Sequence, residues 1–177
     1  MTGDDRVRLF CALRLPGGVP DGLERWQDDL RGGRRVPRQN LHVTLAFLGL
    51  RPAGDVEGVG EALREAASAC REQMVLSPAR YRETRSVGML VLADRADRAF
   101  ALADDLHGRL ERLGAYEPEA RRWLPHVTVL RFRERPRLDP PLPPLGEFVP
   151  SDAAVYLSRL SPGGAQYEVL DSVALGG

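Results

Sequence analysis

A four-residue pattern, His-Val-Thr followed by an aliphatic residue, occurs twice in this chain. It begins at His42 within NLHVTLAFLG and again at His126 within LPHVTVLRF. The chain has 3 histidines, so two of them stand two places before a threonine. Each copy lies in an apolar run that predicts a buried strand. The repetition favours a fold with two similar halves, each contributing one such strand.

The remaining elements support this organisation, because strands and helices alternate in the first half of the chain and the second half repeats this order more loosely. Alternating or apolar runs predict strands at residues 7–15, 41–50, 74–83, 86–94 and 122–132, with a closing hairpin of 153–160 and 167–175. Helical spacing predicts helices at 22–31, 55–73 and 95–114, the last ended by Gly114. Residues 31–40 and 138–150 are expected to be loops. We therefore expect an α+β fold of two similar lobes in one domain, residues 1–177.

The basic residues exclude several kinds of chemistry. All 25 of them are arginine, and lysine is absent. Schiff-base formation, lysyl-nucleotide intermediates and the P-loop lysine of NTP hydrolases are therefore excluded. Arginine remains well suited to binding phosphate, because its planar guanidinium holds two oxygens and stays charged. The 25 acidic residues balance the charge, so net charge indicates no particular partner.

The cysteines give no sign of a metal site or a disulfide framework. Cys11 and Cys70 are far apart, without a CxxC pair or a neighbouring histidine. No apolar run approaches the ~18 residues of a membrane span. We expect a cytoplasmic protein that acts without a metal, a cofactor or a membrane.

The paired pattern predicts acid–base chemistry on a phosphoester. Side chains two residues apart in a strand share a face, so His42 points with Thr44 and His126 points with Thr128. Imidazole, with an unperturbed pKa near 6.5, accepts or donates a proton at neutral pH, so two imidazoles in one cleft can take opposite roles. Threonine hydroxyls donate to phosphoryl oxygens. The pattern predicts metal-free phosphodiester cleavage, with both histidines catalytic and both threonines binding phosphate.

The chain resembles the 2H phosphoesterase superfamily, and within it the RNA 2′,3′-cyclic phosphodiesterases once called 2′-5′ RNA ligases. The similar segments are RLFCALRLP, VPRQNLHVTLAFLG, LPHVTVLRF and VYLSRLSPGGAQYEVL, which span nearly the whole chain. The resemblance implies a bilobal fold, in which two pseudo-symmetric lobes of antiparallel sheet with packed helices surround a central cleft. It also implies hydrolysis of a terminal 2′,3′-cyclic phosphate to a 2′-phosphate, with RNA as partner. We expect a monomer.

The resemblance further implies a role for each motif residue. His42 would donate a proton to the leaving 3′ oxygen, and His126 would be the base that activates water. Thr44 and Thr128 would bind the phosphate oxygens. RNA joining in this family would be the reversal of a phosphoester equilibrium, which agrees with a chain that lacks lysine.

Two positions depart from the family pattern. Arg35 stands where an aromatic residue often precedes the Val-Pro dipeptide, and Val129-Leu130-Arg131 replaces the usual Leu-Ala-Arg. Arg131 is a candidate phosphate ligand, but on a regular strand it would face away from His126 unless a bulge redirects it.

Other residues near the motifs are weaker candidates for the site. Two arginine clusters flank the motifs and are candidates for RNA contact. The aromatic residues close to the motifs are expected to pack in the core, and His107 is expected to be a solvated helix residue. The clusters are Arg31/Arg34/Arg35/Arg38 and Arg131/Arg133/Arg135/Arg137, and the aromatic residues are Phe47, Trp123 and Phe132.

Two alternatives remain open at this stage. One keeps the mechanism and changes the substrate to a small cyclic nucleotide or a 2′-5′ linked oligonucleotide. The other is a non-catalytic module that binds a nucleotide or an RNA end. The intact histidines and threonines of both motifs argue against the binding module.

Overall fold

The computed structural model describes residues 5–175. The strands are β1 (Arg6–Leu13), β2 (Arg34–Arg35), β3 (Val43–Pro52), β4 (Leu76–Glu83), β5 (Val87–Asp94), β6 (His126–Arg131), β7 (Asp152–Ser161) and β8 (Gly164–Ala174). The helices are α1 (Gly18–Gln27), α2 (Asp55–Ala69) and α3 (Arg98–Arg112). No helix within the described range is long and apolar enough to cross a membrane.

The strands form one antiparallel sheet that divides into two halves at its centre. The strand order is β4-β5-β6-β3-β1-β7-β8, and β2 also pairs with β6. The two motif strands, β3 and β6, meet at the pair Val43 and Val127. One half is therefore β3, β1, β7 and β8, and the other is β6, β5, β4 and β2. This arrangement confirms the predicted α+β fold with two related lobes.

The helices cover the apolar side chains that both motif strands direct away from the cleft. Val43, Leu45, Val127 and Val129 are each at most 1% exposed. Helices α2 and α3 pack against each other and against the β3 side of the sheet, and α1 packs beside β6. Because side chains alternate along a strand, burial of these residues leaves the residues between them on the face that is open to solvent.

Helix α3 ends where the sequence predicts, through a Schellman motif. Gly114 adopts a φ of +69°, which glycine reaches without the steric penalty of a side chain. The backbone N–H of Gly114 donates to the carbonyl of Glu111, and that of Ala115 donates to the carbonyl of Leu110, each at 2.9 Å. These bonds satisfy carbonyls that the helix end would otherwise leave free.

The sequence predicts a loop over residues 31–40, but part of this segment forms the short strand β2. Arg34 and Arg35 pair with Arg131 and Leu130 of β6. A Cβ atom on Gly33 would lie 2.7 Å from the Arg131 carbonyl oxygen, so the missing side chain permits this close approach. The only sequence feature that indicates this pairing is Gly33, and its role depends on β6, which is distant along the chain.

The helix packing predicts a sharp difference between Leu106, in the middle of α3, and Leu113, directly after its last residue. Leu106 is 0% exposed and Leu113 is 54% exposed. We expect Leu106→Ala to lower the free energy of unfolding by about 2–5 kcal/mol, because it removes buried methyl groups and leaves a cavity. Leu113→Ala, the matched control, should change it by less than about 0.5 kcal/mol. Urea denaturation of the three proteins measures both values, and equal losses would contradict this packing.

Candidate active site

The structure brings all five predicted site residues to one cleft. His42 and Thr44 come from β3, and His126, Thr128 and Arg131 come from β6; all five line the same cavity. The cavity lies at the central seam, where the two halves of the sheet meet. Each half therefore contributes one imidazole and one hydroxyl.

The register at the seam sets the two motifs against each other. Val43 and Val127 are antiparallel partners. Flanking residues of such a pair are related by a local two-fold, which places His42 across from Thr128 and Thr44 across from His126. The apolar partners Val43 and Val127 are buried, so the polar residues on either side face the cleft.

Both imidazoles are held in the same way by the backbone. Nδ1 of His42 lies 2.8 Å from the carbonyl oxygen of Asn40, and Nδ1 of His126 lies 2.8 Å from that of Leu124. A carbonyl accepts only, so Nδ1 carries the proton in each neutral ring, and Nε2 is left to exchange protons. Nε2 of His42 lies 2.9 Å from the hydroxyl oxygen of Thr44, which donates to it.

The environment of His42 favours its neutral form. Its ring stacks on Phe10 at a centroid distance of 4.9 Å and meets the edge of Tyr167 at 5.5 Å. Burial lowers the pKa of His42 from 6.5 to about 4; the bond to the Asn40 carbonyl opposes this shift, and repulsion from His126 and Arg131 adds to it. His42 is therefore neutral at pH 7 while the cleft holds no anion.

A bulge in β6 explains how Arg131 reaches the cleft. Met89 pairs with Thr128 and Gly88 pairs with Leu130, which leaves Val129 without a partner on β5. The extra residue shifts the alternation of side chains, so that Val129 and Leu130 are both 0% exposed and Arg131 emerges on the histidine face.

The strand β3 carries the same irregularity at the same place in its motif. Ala12 pairs with Thr44 and Cys11 pairs with Ala46, so Leu45 has no partner on β1. Phe47 therefore turns outward and lines the cleft, 53% exposed. The prediction that Phe47 packs in the core is wrong. Its signal in the sequence was the pair of adjacent apolar residues after the motif, which breaks the alternation of the strand.

His107 differs in position from the sequence-based expectation, whereas Trp123 packs, partly buried, against the core as expected. His107 is half-buried rather than solvated: its Nε2 donates to the Leu45 carbonyl at 2.7 Å, and its ring stacks on Tyr116 at 4.6 Å. The indole N–H of Trp123 donates to the Thr44 carbonyl at 3.0 Å. Both bonds reach β3 from distant segments, which no local sequence pattern indicates. Phe132 is 9% exposed and belongs to the core, as expected.

The arginine clusters contribute unequally to the cleft. Arg34 and Arg35 line it together with Arg131. Arg35 forms an ion pair with Asp28, and Arg38 forms one with Asp21. These pairs are exposed and lower the local positive charge. The positive charge of the cleft mouth is therefore concentrated around Arg131 and Arg34.

The cysteines are not placed for nucleophilic chemistry. Both Cys11 and Cys70 are free thiols. Burial raises the pKa of Cys11 to about 12, and burial also raises the pKa of Cys70. A thiol with a raised pKa is a poor nucleophile at neutral pH. Within residues 5–175, no group of three or more His, Cys, Asp or Glu side chains is arranged to hold a metal ion.

Known proteins resemble this chain in sequence and in fold. The family model described as LigT-like phosphoesterase matches residues 13–77. An RNA 2′,3′-cyclic phosphodiesterase of Thermus thermophilus is 30% identical over 97% of this chain and 91% of its own length. One of Methanocaldococcus jannaschii is 24% identical over 93% of this chain and 98% of its own length. The crystal structure of E. coli LigT complexed with 3′-AMP matches with a TM-score of 0.77 and 25% identity, covering 98% of this chain and 100% of that one.

The environment of His42 predicts an unusual titration. In phosphate-free buffer, the imidazole resonances of His42, assigned with His42→Gln, should titrate with a midpoint near the lowered pKa of about 4. Inorganic phosphate should raise this midpoint, because a nearby anion stabilises the imidazolium. NMR titration with and without phosphate measures both effects. A midpoint near the ordinary value of about 6.5 in the empty cleft would contradict the burial of His42.

Proposed function

This chain belongs to the LigT-like phosphoesterase family and is a hydrolase, and we propose that it opens a terminal RNA 2′,3′-cyclic phosphate to a 2′-phosphate. The observation that carries the proposal is the placement of two imidazole–hydroxyl pairs on opposite sides of one seam. The names of its relatives support the same substrate. Because each half of the sheet supplies one pair, we also propose that residues 1–177 act as a single domain.

In the proposed reaction, water attacks phosphorus on the side opposite the 3′ oxygen. Nε2 of His126 takes a proton from this water, and the bond between phosphorus and the 3′ oxygen breaks. Nε2 of His42 gives its proton to the departing 3′ oxygen. The 2′ oxygen keeps its bond to phosphorus, so the product is a 2′-phosphate and a free 3′-hydroxyl. Both proton transfers are general acid–base steps, and they need no metal.

The non-bridging oxygens of the phosphate require hydrogen-bond donors. We assign this role to the hydroxyls of Thr44 and Thr128 and to the guanidinium of Arg131. Phosphoryl oxygens gain negative charge in the transition state, so donors fixed in advance around them lower the barrier. The bulge in β6 supports the assignment of Arg131, because it puts the guanidinium on the histidine face.

His42 can act as an acid only when its Nε2 is protonated, and in the empty cleft the ring is neutral. Burial gives His42 a pKa of about 4, so the ring is neutral at pH 7 before substrate binds. The cyclic phosphodiester carries a negative charge, which raises the pKa of a nearby imidazole. We therefore propose that binding of the anion and protonation of His42 are coupled. The same steps with an RNA 5′-hydroxyl in place of water would form a 2′-5′ linkage.

Replacing either histidine should slow turnover strongly. We expect His42→Ala and His126→Ala each to lower kcat by about 10²–10⁴-fold, because each removes one general acid–base step. The assay is hydrolysis of an RNA oligonucleotide with a 2′,3′-cyclic end in excess EDTA, with the position of the product phosphate assigned. Arg95→Ala, which breaks an exposed ion pair with Glu147, is the control and should be fully active.

Three outcomes of this assay separate the proposal from its alternatives. Loss of wild-type activity in EDTA would contradict a metal-independent reaction. Turnover of a cyclic mononucleotide but not of the RNA would indicate that the substrate is a small nucleotide. Tight binding of the cyclic-ended RNA without any product would indicate a binding module instead of an enzyme.

The coupling between binding and protonation predicts proton uptake. At pH 7 we expect a fraction of a proton, up to about one half, to be taken up when an anionic 2′-nucleotide fills the cleft of the wild-type protein. The sign follows from the pKa of His42, which lies below 7 in the empty cleft and rises beside the phosphate. Calorimetric titrations in buffers of different ionisation enthalpy measure the uptake. His42→Gln should bind with markedly less uptake, and an equal uptake by this variant would contradict the coupling.

A further inference from the structure

In each of the two bulges, a side chain from a helix donates a hydrogen bond to the carbonyl of the residue that has no partner on the neighbouring strand. A bulge disrupts the ladder of hydrogen bonds, so its backbone groups need other partners. In β3, the Leu45 carbonyl accepts from Nε2 of His107 at 2.7 Å. In β6, the Val129 carbonyl accepts from Nε2 of Gln27 at 2.8 Å. Leu45 and Val129 each stand three residues after a motif histidine.

Gln27 is an unusual residue in this protein because it is polar and almost completely buried. It is 2% exposed and is the last residue of α1. Its side-chain amide donates to the Val129 carbonyl and also to the Val36 carbonyl, the latter at 3.0 Å. The Val36 N–H in turn donates to the Val129 carbonyl at 3.0 Å. One amide thus ties the bulge to the segment that follows β2.

His107 has the corresponding place in the other half. It lies in α3 and reaches the bulge of β3, and its ring is held by stacking on Tyr116. The two donors differ in chemistry and come from different helices, and they reach the equivalent carbonyl in each motif strand.

We propose that Gln27 and His107 are positioning residues, which hold the two bulges and so direct Arg131 and Phe47 into the cleft. Neither side chain lines the cavity that holds the five candidate site residues. This inference rests on the proposed function, because it assigns Arg131 to the phosphate and Phe47 to the cleft wall. Its structural part, the direction of each side chain, stands independently of any activity.

The physical need for these donors follows from the alternation of strand residues. A shift of one residue in a strand sends each side chain to the opposite face. Without the bulge of β6, Leu130 would face the cleft and Arg131 would face the core. In β6 the Gln27 amide favours the bulged arrangement, because it donates to the Val129 carbonyl and to the Val36 carbonyl together and so holds β6 to the segment that follows β2.

The test of Gln27 is a double-mutant cycle with Arg131. Gln27→Met keeps the length of the side chain and removes the donor. We expect it to weaken the binding of inorganic phosphate, read from the His42 resonances, by roughly 10-fold, which is the effect of losing one hydrogen bond between charged groups. In the Arg131→Ala background, Gln27→Met should have little further effect. An equal loss in both backgrounds would overturn the proposal, because it would mean that Gln27 acts on general stability.

A matched pair of variants tests His107 and covers the case in which Gln27→Met does not fold. His107→Gln supplies the same donor that Gln27 uses, and His107→Leu supplies none. We expect the KM for cyclic-ended RNA to be close to wild type in the first and raised severalfold in the second. The increase should disappear in the Phe47→Ala background. Indistinguishable behaviour of the Gln and Leu variants would overturn the role of His107.

A crystal structure separates failure of this inference from failure of the proposed function. If the wild type neither cleaves the RNA nor binds phosphate, the proposed function fails, and the direction of Arg131 in Gln27→Met still decides the inference. We expect the Arg131 guanidinium to leave the cleft in that variant. If the bulge and the direction of Arg131 are unchanged in Gln27→Met, the inference about Gln27 is overturned.

Discussion

The pairing of Val43 with Val127 is the contact on which the site depends. It is the point where β3 and β6 join the two halves of the sheet. Both valines are buried, so their hydrophobic contact holds the seam while the strands diverge on either side. The divergence creates the cleft, and the antiparallel register puts an imidazole across from a hydroxyl at both ends of the pair. The fold and the reaction geometry therefore have the same origin.

The two lobes are similar in architecture but different in electrostatics. His42 lies against Phe10 and Tyr167, and burial among these rings lowers its pKa. A half-buried neutral imidazole becomes an acid only beside an anion, so a phosphate in the cleft would create its own proton donor. The proposed coupling would restrict acid catalysis to a cleft that holds substrate.

The fold and the grouping of the candidate site residues in one cleft were predictable because the decisive signals are local. Alternation within the motifs places each histidine with its threonine, and Gly114 marks the end of α3. The directions of Phe47 and Arg131 were indicated only weakly, by two adjacent apolar residues after each motif, because both depend on bulges that exist only when the neighbouring strands pair. Gln27 and His107 were missed for a related reason: their partners are carbonyls 102 and 62 residues away in sequence.

The central claim is that His42 is the acid and His126 is the base, and a substrate with a sulfur leaving group tests it most directly. A cyclic phosphate whose 3′ oxygen is replaced by sulfur expels a thiolate, which needs no proton. The account predicts that His42→Ala cleaves this substrate at nearly the wild-type rate, whereas His126→Ala remains inactive. Recovery of His126→Ala instead, or inactivity of both variants, would contradict the assignment.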